Sequence, residues 1–296
     1  MQTVQSEVDA IHIMVLKHPR DAFVNQEIIL GQWKELGYTD PPHFEESIKE
    51  YDRFLNCIAK YVPNIHFLPK ERNVTLDSIY VRDASVVCGK GVILCNMGKT
   101  QRSTEPGAQE ALYRALGIPI VGRIKGPGTL EGGDVVWLNE RTLAVARSYR
   151  TNWEGIRQLE ELLDDCVNEI VVVDLPHWRG PEDVFHLMSI ISPIDKDLAL
   201  VYSPLMPIGF REKLLSLSIN LVEVPAEEFA TMGCNVLALA PRKCLMVSGN
   251  QKTKKRLEAE GVDVLEFPGT EICIKGGGGP TCLTRPILRS PVQVRP

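Results

Sequence analysis

The sequence lacks the features that would mark a membrane, secreted or nucleic-acid-binding protein. Its longest apolar stretches, such as residues 170–173, fall far short of the roughly 20 residues that a membrane-spanning helix needs. Its N-terminus has neither the basic start nor the apolar run of a signal peptide. Acidic residues outnumber basic ones by 38 to 33, which argues against nucleic acid or an anionic membrane as the main partner. We therefore expect a soluble protein of the cytoplasm.

The spacing of cysteine and histidine that is typical of a zinc site is also missing. Among eight cysteines and six histidines, no two cysteines have CxxC spacing, and no histidine lies within five residues of a cysteine. A disulfide framework is not expected in a chain of 296 residues without a secretion signal. Cys282 lies in polar, glycine-rich surroundings, whereas the apolar runs around five others predict buried strand residues: Cys88, Cys95, Cys234, Cys244 and Cys273.

The sequence does contain a recurring unit of two strands, a helix and a third strand. In the first unit, apolar strands at 84–88 and 91–95 are joined by a turn and followed by an amphipathic helix at 108–116 and a strand at 119–121. The pattern recurs at a spacing of roughly 40–60 residues. A fifth unit combines segments from both ends of the chain: strands at 12–16, 65–68, 272–274 and 282–284, and a helix at 44–61. Because both termini contribute to it, we predict a closed ring that forms one domain, residues 1–296.

The glycine-rich segment at 275–286 carries the strongest local signal. Four consecutive glycines favour a close approach of the backbone or unusual dihedral angles. A phosphate-binding loop is not expected, because prolines and the chain end leave no room for the helix that such a loop requires. Cys282 in this segment is therefore either a nucleophile at the rim of a cavity or an inert buried thiol. Lys275 and Arg285 would lower its pKa if they folded close to it.

Three other polar segments also lie directly ahead of strands. Glu131 and Asp134 bracket two glycines, Asp83 follows Arg82 before an apolar strand, and His186 lies between two apolar residues. Taken singly, these segments also fit an acidic turn, an ion pair and a hydrogen-bonded core histidine. Since each belongs to a different unit, a ring brings all of them to its central axis.

A cysteine, a histidine and several carboxylates around one cavity suit thiolate attack on a planar, cationic carbon. The carboxylates would bind the cation, and the histidine would protonate the leaving nitrogen. The bound cation would itself favour the thiolate. A papain-like protease also combines cysteine and histidine, but its nucleophile lies early in the chain at the start of a helix. Cys282 lies near the C-terminus on an expected strand.

With these residues, the chain resembles the guanidine-modifying enzymes of the pentein superfamily, which include dimethylargininases, arginine deiminases and amidinotransferases. The resemblance covers residues 77–285 and implies an α/β fold, a five-bladed propeller of pseudo-symmetric ββαβ units. It rests on four motifs: Asp77-x5-Asp83, Leu130-Glu131-Gly-Gly-Asp134, Phe185-His186-Leu187 and Gly-Gly-Gly-Gly-Pro-Thr-Cys282.

The resemblance also implies a role for each motif residue. Cys282 would be the nucleophile, His186 the general acid and base, and Glu131 a partner of both His186 and the guanidinium. Asp83 would bind guanidinium nitrogens, with Asp134 among the substrate-binding residues.

Three further residues would hold the amino-acid end of the substrate. Asp77 belongs to this group, together with Arg150, whose surroundings at 147–152 are similar to the dimethylargininase stretch that binds the substrate carboxylate. Arg102 aligns more loosely with the other carboxylate-binding arginine of that family. A surface salt bridge is the alternative for each arginine.

One departure from the pattern separates the subfamilies. Two residues after the histidine, deiminases and amidinotransferases typically carry an aspartate, whereas this chain has Met188. The chain is also too short for the helical insertion of deiminases, although Arg82-Asp83 and the glycine run look more like theirs. The prediction is hydrolysis of dimethylarginine to citrulline and dimethylamine through a cysteine thiouronium intermediate, without metal or organic cofactor.

Other functions remain open at this stage. Arginine deiminase and amidinotransferase are the first alternatives, both with a small guanidino substrate as partner and neither with nucleic acid or membrane. A non-catalytic translation factor uses the same propeller, but it would have no reason to combine the cysteine, the histidine and the carboxylates. The sequence leaves a homo-oligomer open.

Overall fold

In the computed structural model, which describes residues 3 and 5–290, fifteen strands form five separate three-stranded sheets. The strands are β1 (Ala10–Leu16), β2 (Asn64–Phe67), β3 (Ser85–Cys88), β4 (Gly91–Leu94), β5 (Ile120–Arg123), β6 (Val135–Trp137), β7 (Thr142–Arg147), β8 (Glu169–Asp174), β9 (Ile191–Asp195), β10 (Leu198–Val201), β11 (Asn220–Glu223), β12 (Leu237–Ala240), β13 (Lys243–Val247), β14 (Asp263–Phe267) and β15 (Arg285–Ser290). The helices are α1 (Pro19–Ala22), α2 (Gln26–Gln32), α3 (Phe44–Ile58), α4 (Glu105–Ala115), α5 (Trp153–Leu163), α6 (Ile208–Ser216), α7 (Ala226–Phe229) and α8 (Gln251–Ala259).

Four sheets repeat one connection along the chain. Two strands pair as an antiparallel hairpin, a helix follows, and the third strand pairs in parallel with the second. The fifth sheet has the order β15-β1-β2, so its strands come from both ends of the chain, with α3 between β1 and β2. The predicted α/β fold of five pseudo-symmetric ββαβ units is confirmed. Among the described residues, no helix has the length and apolar character needed to cross a membrane.

The prediction for the closing strands was wrong. Residues 270–274 form a helical turn whose first backbone N–H groups donate to the carboxylate of Glu50, and this capping removes them from any sheet. Residues 282–284 form a turn in which the Leu283 amide donates to the Gly279 carbonyl. The strand begins only at Arg285. Pro286 is tolerated in it because β15 is an edge strand.

Local signals account for the position of the best-predicted helix, α5. Asn152 caps its N-terminus by accepting a hydrogen bond of 2.8 Å from the Gly155 amide. One face of the helix buries Ile156, Leu159 and Leu163 in the core between two units. Each such side chain contributes about 1.5–3 kcal/mol through burial.

The cysteines predicted as strand residues are all buried, but only some lie on strands. Cys88 lies in β3 and Cys244 in β13. Cys95 follows β4, Cys234 precedes β12, and Cys273 lies in the helical turn of residues 270–274. Burial therefore follows from the apolar runs, whereas the conformation depends on where each strand ends.

Candidate active site

The segments ahead of the first strands of the five units meet at one cleft. Asp83 precedes β3, His186 precedes β9, Asn235 precedes β12 and Cys282 precedes β15, and all four line a cavity of ≈ 280 Å³. Glu131, in the segment ahead of β6, is hydrogen-bonded to His186. A second cavity of ≈ 270 Å³, beside residues 5–9, has no cysteine or histidine in its lining. The ring thus brings one polar segment from each unit to a single place.

His186 lies at the centre of a compact acid–base cluster. Its Nε2 lies 2.8 Å from Glu131 Oε2, and its Nδ1 lies 4.0 Å from Asp83 Oδ1. Burial by itself lowers the pKa of His186, but the carboxylates of Asp83, Asp134 and Glu131 outweigh it and raise that pKa to about 9. At neutral pH the ring is therefore an imidazolium that can give a proton to a leaving group.

Glu131 is held as a carboxylate despite complete burial. It accepts a hydrogen bond of 2.9 Å from the Lys99 backbone amide, and Arg150 Nη1 lies 3.4 Å from it. Burial raises the pKa of Glu131, but His186, Arg150 and Arg102 together bring it well below the usual range. Its negative charge is what keeps the imidazolium in place.

Asp134 contacts the backbone next to the histidine. It accepts hydrogen bonds from the Leu187 amide at 3.1 Å and from Ser148 Oγ at 2.6 Å. Burial raises the pKa of Asp134, although the His186 charge and the hydrogen bonds oppose that rise. Through Leu187 this side chain fixes the turn that carries His186.

The two glycines between these carboxylates leave room for the cluster. A Cβ on Gly133 would lie 2.6 Å from His186 Nδ1 and 2.7 Å from Asp83 Oδ1, which is closer than real contacts allow. Only a glycine lets the histidine and Asp83 approach each other across the backbone here.

Asp83 has one bound and one unbound oxygen. Its Oδ2 accepts a hydrogen bond of 2.6 Å from Arg102 Nη1, while its buried Oδ1 has no hydrogen-bond partner among the described residues. The same guanidinium donates to both oxygens of Glu105 at 2.9 and 2.8 Å. Burial raises the pKa of Glu105 to about 7, against the opposing effect of Arg102. Arg102 is thus a buried residue engaged by two carboxylates rather than a surface salt bridge.

Cys282 sits in the turn ahead of β15 with its thiol buried. Asn235 Nδ2 lies 3.4 Å from Sγ and Thr281 Oγ1 lies 3.8 Å from it. Burial and the charge of Asp83 raise the pKa of the Cys282 thiol, while Thr281, Asn235 and Arg82 oppose the rise. In the free protein the thiol is therefore protonated at neutral pH.

The expected source of positive charge near this thiol was wrong. Lys275 Nζ is bound to Glu271 at 2.8 Å, and the Arg285 side chain donates to the Arg82 carbonyl. The guanidinium that acts on Cys282 is that of Arg82, whose Nε also donates to the Thr281 carbonyl at 2.9 Å. Arg285, three residues after Cys282, therefore directs its charge to the Arg82 carbonyl and not to the thiol.

The glycine run packs the loop of residues 276–279 against a tyrosine. A Cβ on Gly276 would lie 2.0 Å from the Tyr80 hydroxyl oxygen, so no side chain fits there. That hydroxyl donates to the Ile272 carbonyl at 3.2 Å. The run therefore anchors the loop on a buried ring and fixes the turn that presents Cys282.

Opposite charges are paired at another part of the cleft. Lys99 Nζ lies 2.6 Å from Asp77 Oδ2 and also donates to the Leu36 carbonyl at 2.6 Å. Asp77, Lys99 and Arg150 all line the cavity. Among the residues expected at the site, Asp77, Asp83, Arg102, Arg150, His186 and Cys282 line the cleft, as does Met188. Glu131 is hydrogen-bonded to His186, whereas Asp134 reaches the site only through the Leu187 backbone.

Sequence reasoning missed three residues of this arrangement. Asn235 is the polar residue ahead of the fourth unit's first strand, so the repeat that placed Asp83 and His186 also pointed to it. Glu105 looked like the start of a helix, and only its contact with Arg102 assigns it here. Nothing in the sequence marked Lys99, which acts partly through its backbone amide.

The chain also matches known proteins over nearly its whole length. Residues 33–289 match the family described as N,N dimethylarginine dimethylhydrolase, eukaryotic. An uncharacterized protein, YkgA, of Bacillus subtilis is 28% identical over 96% of this chain and 94% of its own length. An arginine deiminase of Mycobacterium marinum is 27% identical over 72% of this chain and 61% of its own length.

The fold has known counterparts as well. DDAH from Pseudomonas aeruginosa, complexed with citrulline, has a TM-score of 0.75 at 21% identity and covers 95% of this chain and 100% of its own. These similarities confirm the predicted pentein superfamily and the predicted enzyme class, a cysteine-dependent hydrolase of amidines. Because the family match spans residues 33–289 of 296, the chain belongs to the N,N-dimethylarginine dimethylhydrolase family.

Proposed function

We propose that the protein hydrolyses a C–N bond of a guanidino amino acid by covalent catalysis at Cys282, with dimethylarginine as substrate and citrulline and dimethylamine as products. The observation that carries the proposal is the unpartnered, buried Oδ1 of Asp83, which lies 4.0 Å from His186 Nδ1 in the cleft lined by Cys282. A carboxylate oxygen in that position suits a guanidinium N–H donor.

The first half-reaction uses the charges already in the cleft. The substrate guanidinium binds to Asp83, and its positive charge lowers the pKa of the Cys282 thiol, which releases its proton to solvent. The thiolate attacks the guanidinium carbon, and His186 donates its proton to the departing amine. The C–N bond breaks with its electron pair on nitrogen, which leaves a thiouronium on Cys282 and a neutral imidazole.

The second half-reaction reverses the role of the histidine. Neutral His186, oriented by Glu131, takes a proton from a water molecule as the water attacks the thiouronium carbon. The C–S bond then breaks with its electron pair on sulfur, and the hydroxyl proton of the product is lost to solvent, which leaves a neutral ureido group. The Cys282 thiolate takes up a proton from solvent as the product leaves, which restores the starting thiol. His186 transfers the proton in both half-reactions, and neither half-reaction requires a metal or an organic cofactor.

In this proposal the amino-acid end of the substrate lies beside the ion pair of Asp77 and Lys99. Asp77 accepts hydrogen bonds from the α-ammonium and Arg150 binds the α-carboxylate, since a zwitterion suits a site lined by both charge signs.

Arg102 was expected to share that carboxylate. Its bonds to Glu105 and Asp83 support a positioning role, in which it holds Asp83 toward the substrate. Asp134 likewise positions His186. Residues 1–296 would act as a single catalytic domain.

Met188 supports an alkylated leaving amine. An apolar side chain in the cleft leaves space for methyl groups, where a carboxylate would bind an unsubstituted amine. The second candidate is an arginine deiminase, favoured by the similarity to deiminases at 27% identity. In both cases the same residues break the same kind of bond, and only the substituents on nitrogen differ.

A substrate panel tests the proposal. Arginine, monomethylarginine, dimethylarginine, agmatine and a guanidino acid are incubated separately with the protein, and the products are identified by mass spectrometry. Citrulline from dimethylarginine but not from arginine is the expected result. Citrulline from arginine alone would make the protein a deiminase, and no product from any compound would overturn guanidine hydrolysis itself.

A further inference from the structure

A second cluster of buried charges lies apart from the cleft. Arg82, Arg285 and Arg289 line a small cavity of ≈ 20 Å³ together with Glu7. This cavity shares no lining residue with the cleft. We call it the arginine cavity; of its arginines, only Arg82 acts on the catalytic thiol, where it opposes the rise in the pKa of Cys282.

Several hydrogen-bond donors in the arginine cavity have no partner among the described residues. They are Nε of Arg285 and both Nε and Nη2 of Arg289. These two side chains are only 5% and 2% exposed, so bulk water does not reach them. A buried donor without a partner loses the hydrogen bonds that it makes to water in the unfolded chain, and the loss is larger if the donor is charged. Two arginines with three such atoms facing one cavity therefore call for an acceptor.

The charges around the arginine cavity do not balance. Glu7 Oε2 lies 3.3 Å from Arg82 Nη1, and the acidic groups whose charges act on Arg289 are Glu7 and Asp9. Three guanidinium groups thus face two carboxylates. Burial lowers the pKa of Arg285 and of Arg289 to about 10, so both remain protonated at neutral pH. Among the residues that the structure describes, one positive charge of this buried cluster is left without a counter-charge.

We propose that the arginine cavity binds one monovalent anion of halide size, with chloride as the natural occupant. A water molecule would satisfy the donors but would leave the excess charge uncompensated. The cavity exceeds the roughly 10–15 Å³ that one water-sized probe requires, yet it is too small for phosphate or a carboxylic acid. The anion accepts hydrogen bonds from Arg285 and Arg289 and neutralises the cluster.

An anion in the arginine cavity stabilises the backbone turn that carries Cys282. Arg82 donates from its backbone amide to the Cys282 carbonyl and from Nε to the Thr281 carbonyl. Arg285 in turn donates to the Arg82 carbonyl. Repulsion among the arginines would push these contacts apart, and the anion removes that repulsion. The expected consequence is a folded state whose stability depends on halide.

Crystals grown with sodium bromide test the site directly. Anomalous scattering at the bromine edge should give a peak between Arg285 and Arg289, with the nitrogen atoms of both within hydrogen-bond distance. A map with no bromide peak in the cavity, and a water or nothing in its place, would overturn the proposal.

Thermal unfolding gives an independent measurement in solution. At constant ionic strength, sodium chloride or bromide replaces sodium gluconate, whose anion is too large for the cavity. Halide at a tenfold excess over its dissociation constant multiplies the ratio of folded to unfolded protein by about 11. For a chain of this size that raises Tm by roughly 2–3 °C. An unchanged Tm in the wild-type protein would count against the proposal.

A matched pair of variants shows whether the effect arises in the cavity. Arg289→Gln should abolish the halide-dependent rise, because the excess charge is gone. Arg157→Gln removes an exposed, ion-paired arginine and should leave the rise intact. Equal halide dependence in both variants would mean that the ions act elsewhere. If Arg289→Gln does not fold, the bromide map of the wild-type protein decides.

Discussion

Two neighbours in the chain, Arg82 and Asp83, enter two buried sites of opposite character. Asp83 lines the cleft, where five carboxylates (Asp77, Asp83, Glu105, Glu131 and Asp134) meet four basic groups (Lys99, Arg102, Arg150 and His186). Arg82 lines the arginine cavity, where three guanidiniums meet two carboxylates. Among these groups, acidic residues outnumber basic ones in the cleft, whereas basic residues outnumber acidic ones in the cavity.

The difference suggests how a ring of similar units separates catalysis from stability. In the proposed reaction, a compensating positive charge reaches the cleft with the guanidinium substrate and leaves with the amine, so the Cys282 thiol would be activated only while a cation is bound. In the arginine cavity a resident anion would supply the missing charge permanently. We therefore expect changes in the cleft to reduce turnover more than stability, and changes around the cavity to do the reverse.

The largest effect on turnover is expected from Cys282→Ser. Without a thiolate, no thiouronium forms, and kcat should fall by roughly 10⁴-fold or more. Steady-state assays of citrulline formation measure the change, and thermal unfolding should show Tm nearly unchanged. Cys57→Ser, in the half-buried face of α3, serves as the control and should retain activity. Substantial activity in Cys282→Ser would remove this residue as the nucleophile.

The next effect comes from His186→Gln, which keeps a donor for Glu131 but removes the titrating group. We expect kcat to fall by about 10²–10⁴-fold, the usual contribution of a general acid and base. His66→Gln, on strand β2, provides a matched control. A loss confined to KM would contradict a role in proton transfer.

The same variant tests the pKa of His186. Since its folded pKa of about 9 lies above the unfolded value of 6.5, the stabilisation is complete below pH 6.5 and is lost as the pH rises through 9. Wild-type unfolding free energy, measured by denaturant titration, should therefore decrease between these pH values by on the order of 3 kcal/mol. The decrease should be smaller in His186→Gln, and equal curves would contradict a charged histidine in the folded state.

The smallest effect on turnover is expected from Glu7→Gln, in the lining of the arginine cavity. Removing this carboxylate leaves Arg82 without its ion-pair partner, so the unfolding free energy should fall by about 2–4 kcal/mol. The measured kcat should change by less than tenfold. Glu258→Gln, on the exposed side of α8, is the control and should alter neither quantity. A loss of turnover without a change in unfolding free energy would contradict the proposal that the cleft serves catalysis and the arginine cavity serves stability.

Much of the fold was accessible from the sequence because each unit repeats the same local signals. Pairs of apolar strands, helix start signals and turn residues predicted the order of the elements. Each polar residue ahead of a strand was expected at the central axis of the ring. The same repetition would have predicted Asn235. The closing strands were placed too early, because Glu50 caps a helical turn at residues 270–274 and a second turn, closed by the Leu283 amide on the Gly279 carbonyl, precedes β15.

The charges of the site were harder to predict than its residues. Arg285 stands three residues after Cys282 and was expected to act on the thiol, but it donates to the Arg82 carbonyl instead. Arg102 was expected to bind the substrate carboxylate, but Glu105 and Asp83 hold it, and Asp83 lies near it only in the folded chain. Which charge faces which partner is decided by tertiary contacts that no local pattern contains.

The central claim, that a bound cation activates the Cys282 thiol, is tested most directly by its alkylation rate. The rates for cationic 2-chloroacetamidine and neutral 2-chloroacetamide are each divided by the rate with glutathione, and the modified residue is identified by peptide mass spectrometry. The account predicts that Cys282 reacts at least roughly tenfold faster with the cationic reagent, and that Asp83→Asn removes the difference. Equal normalised rates in the wild-type protein would contradict it.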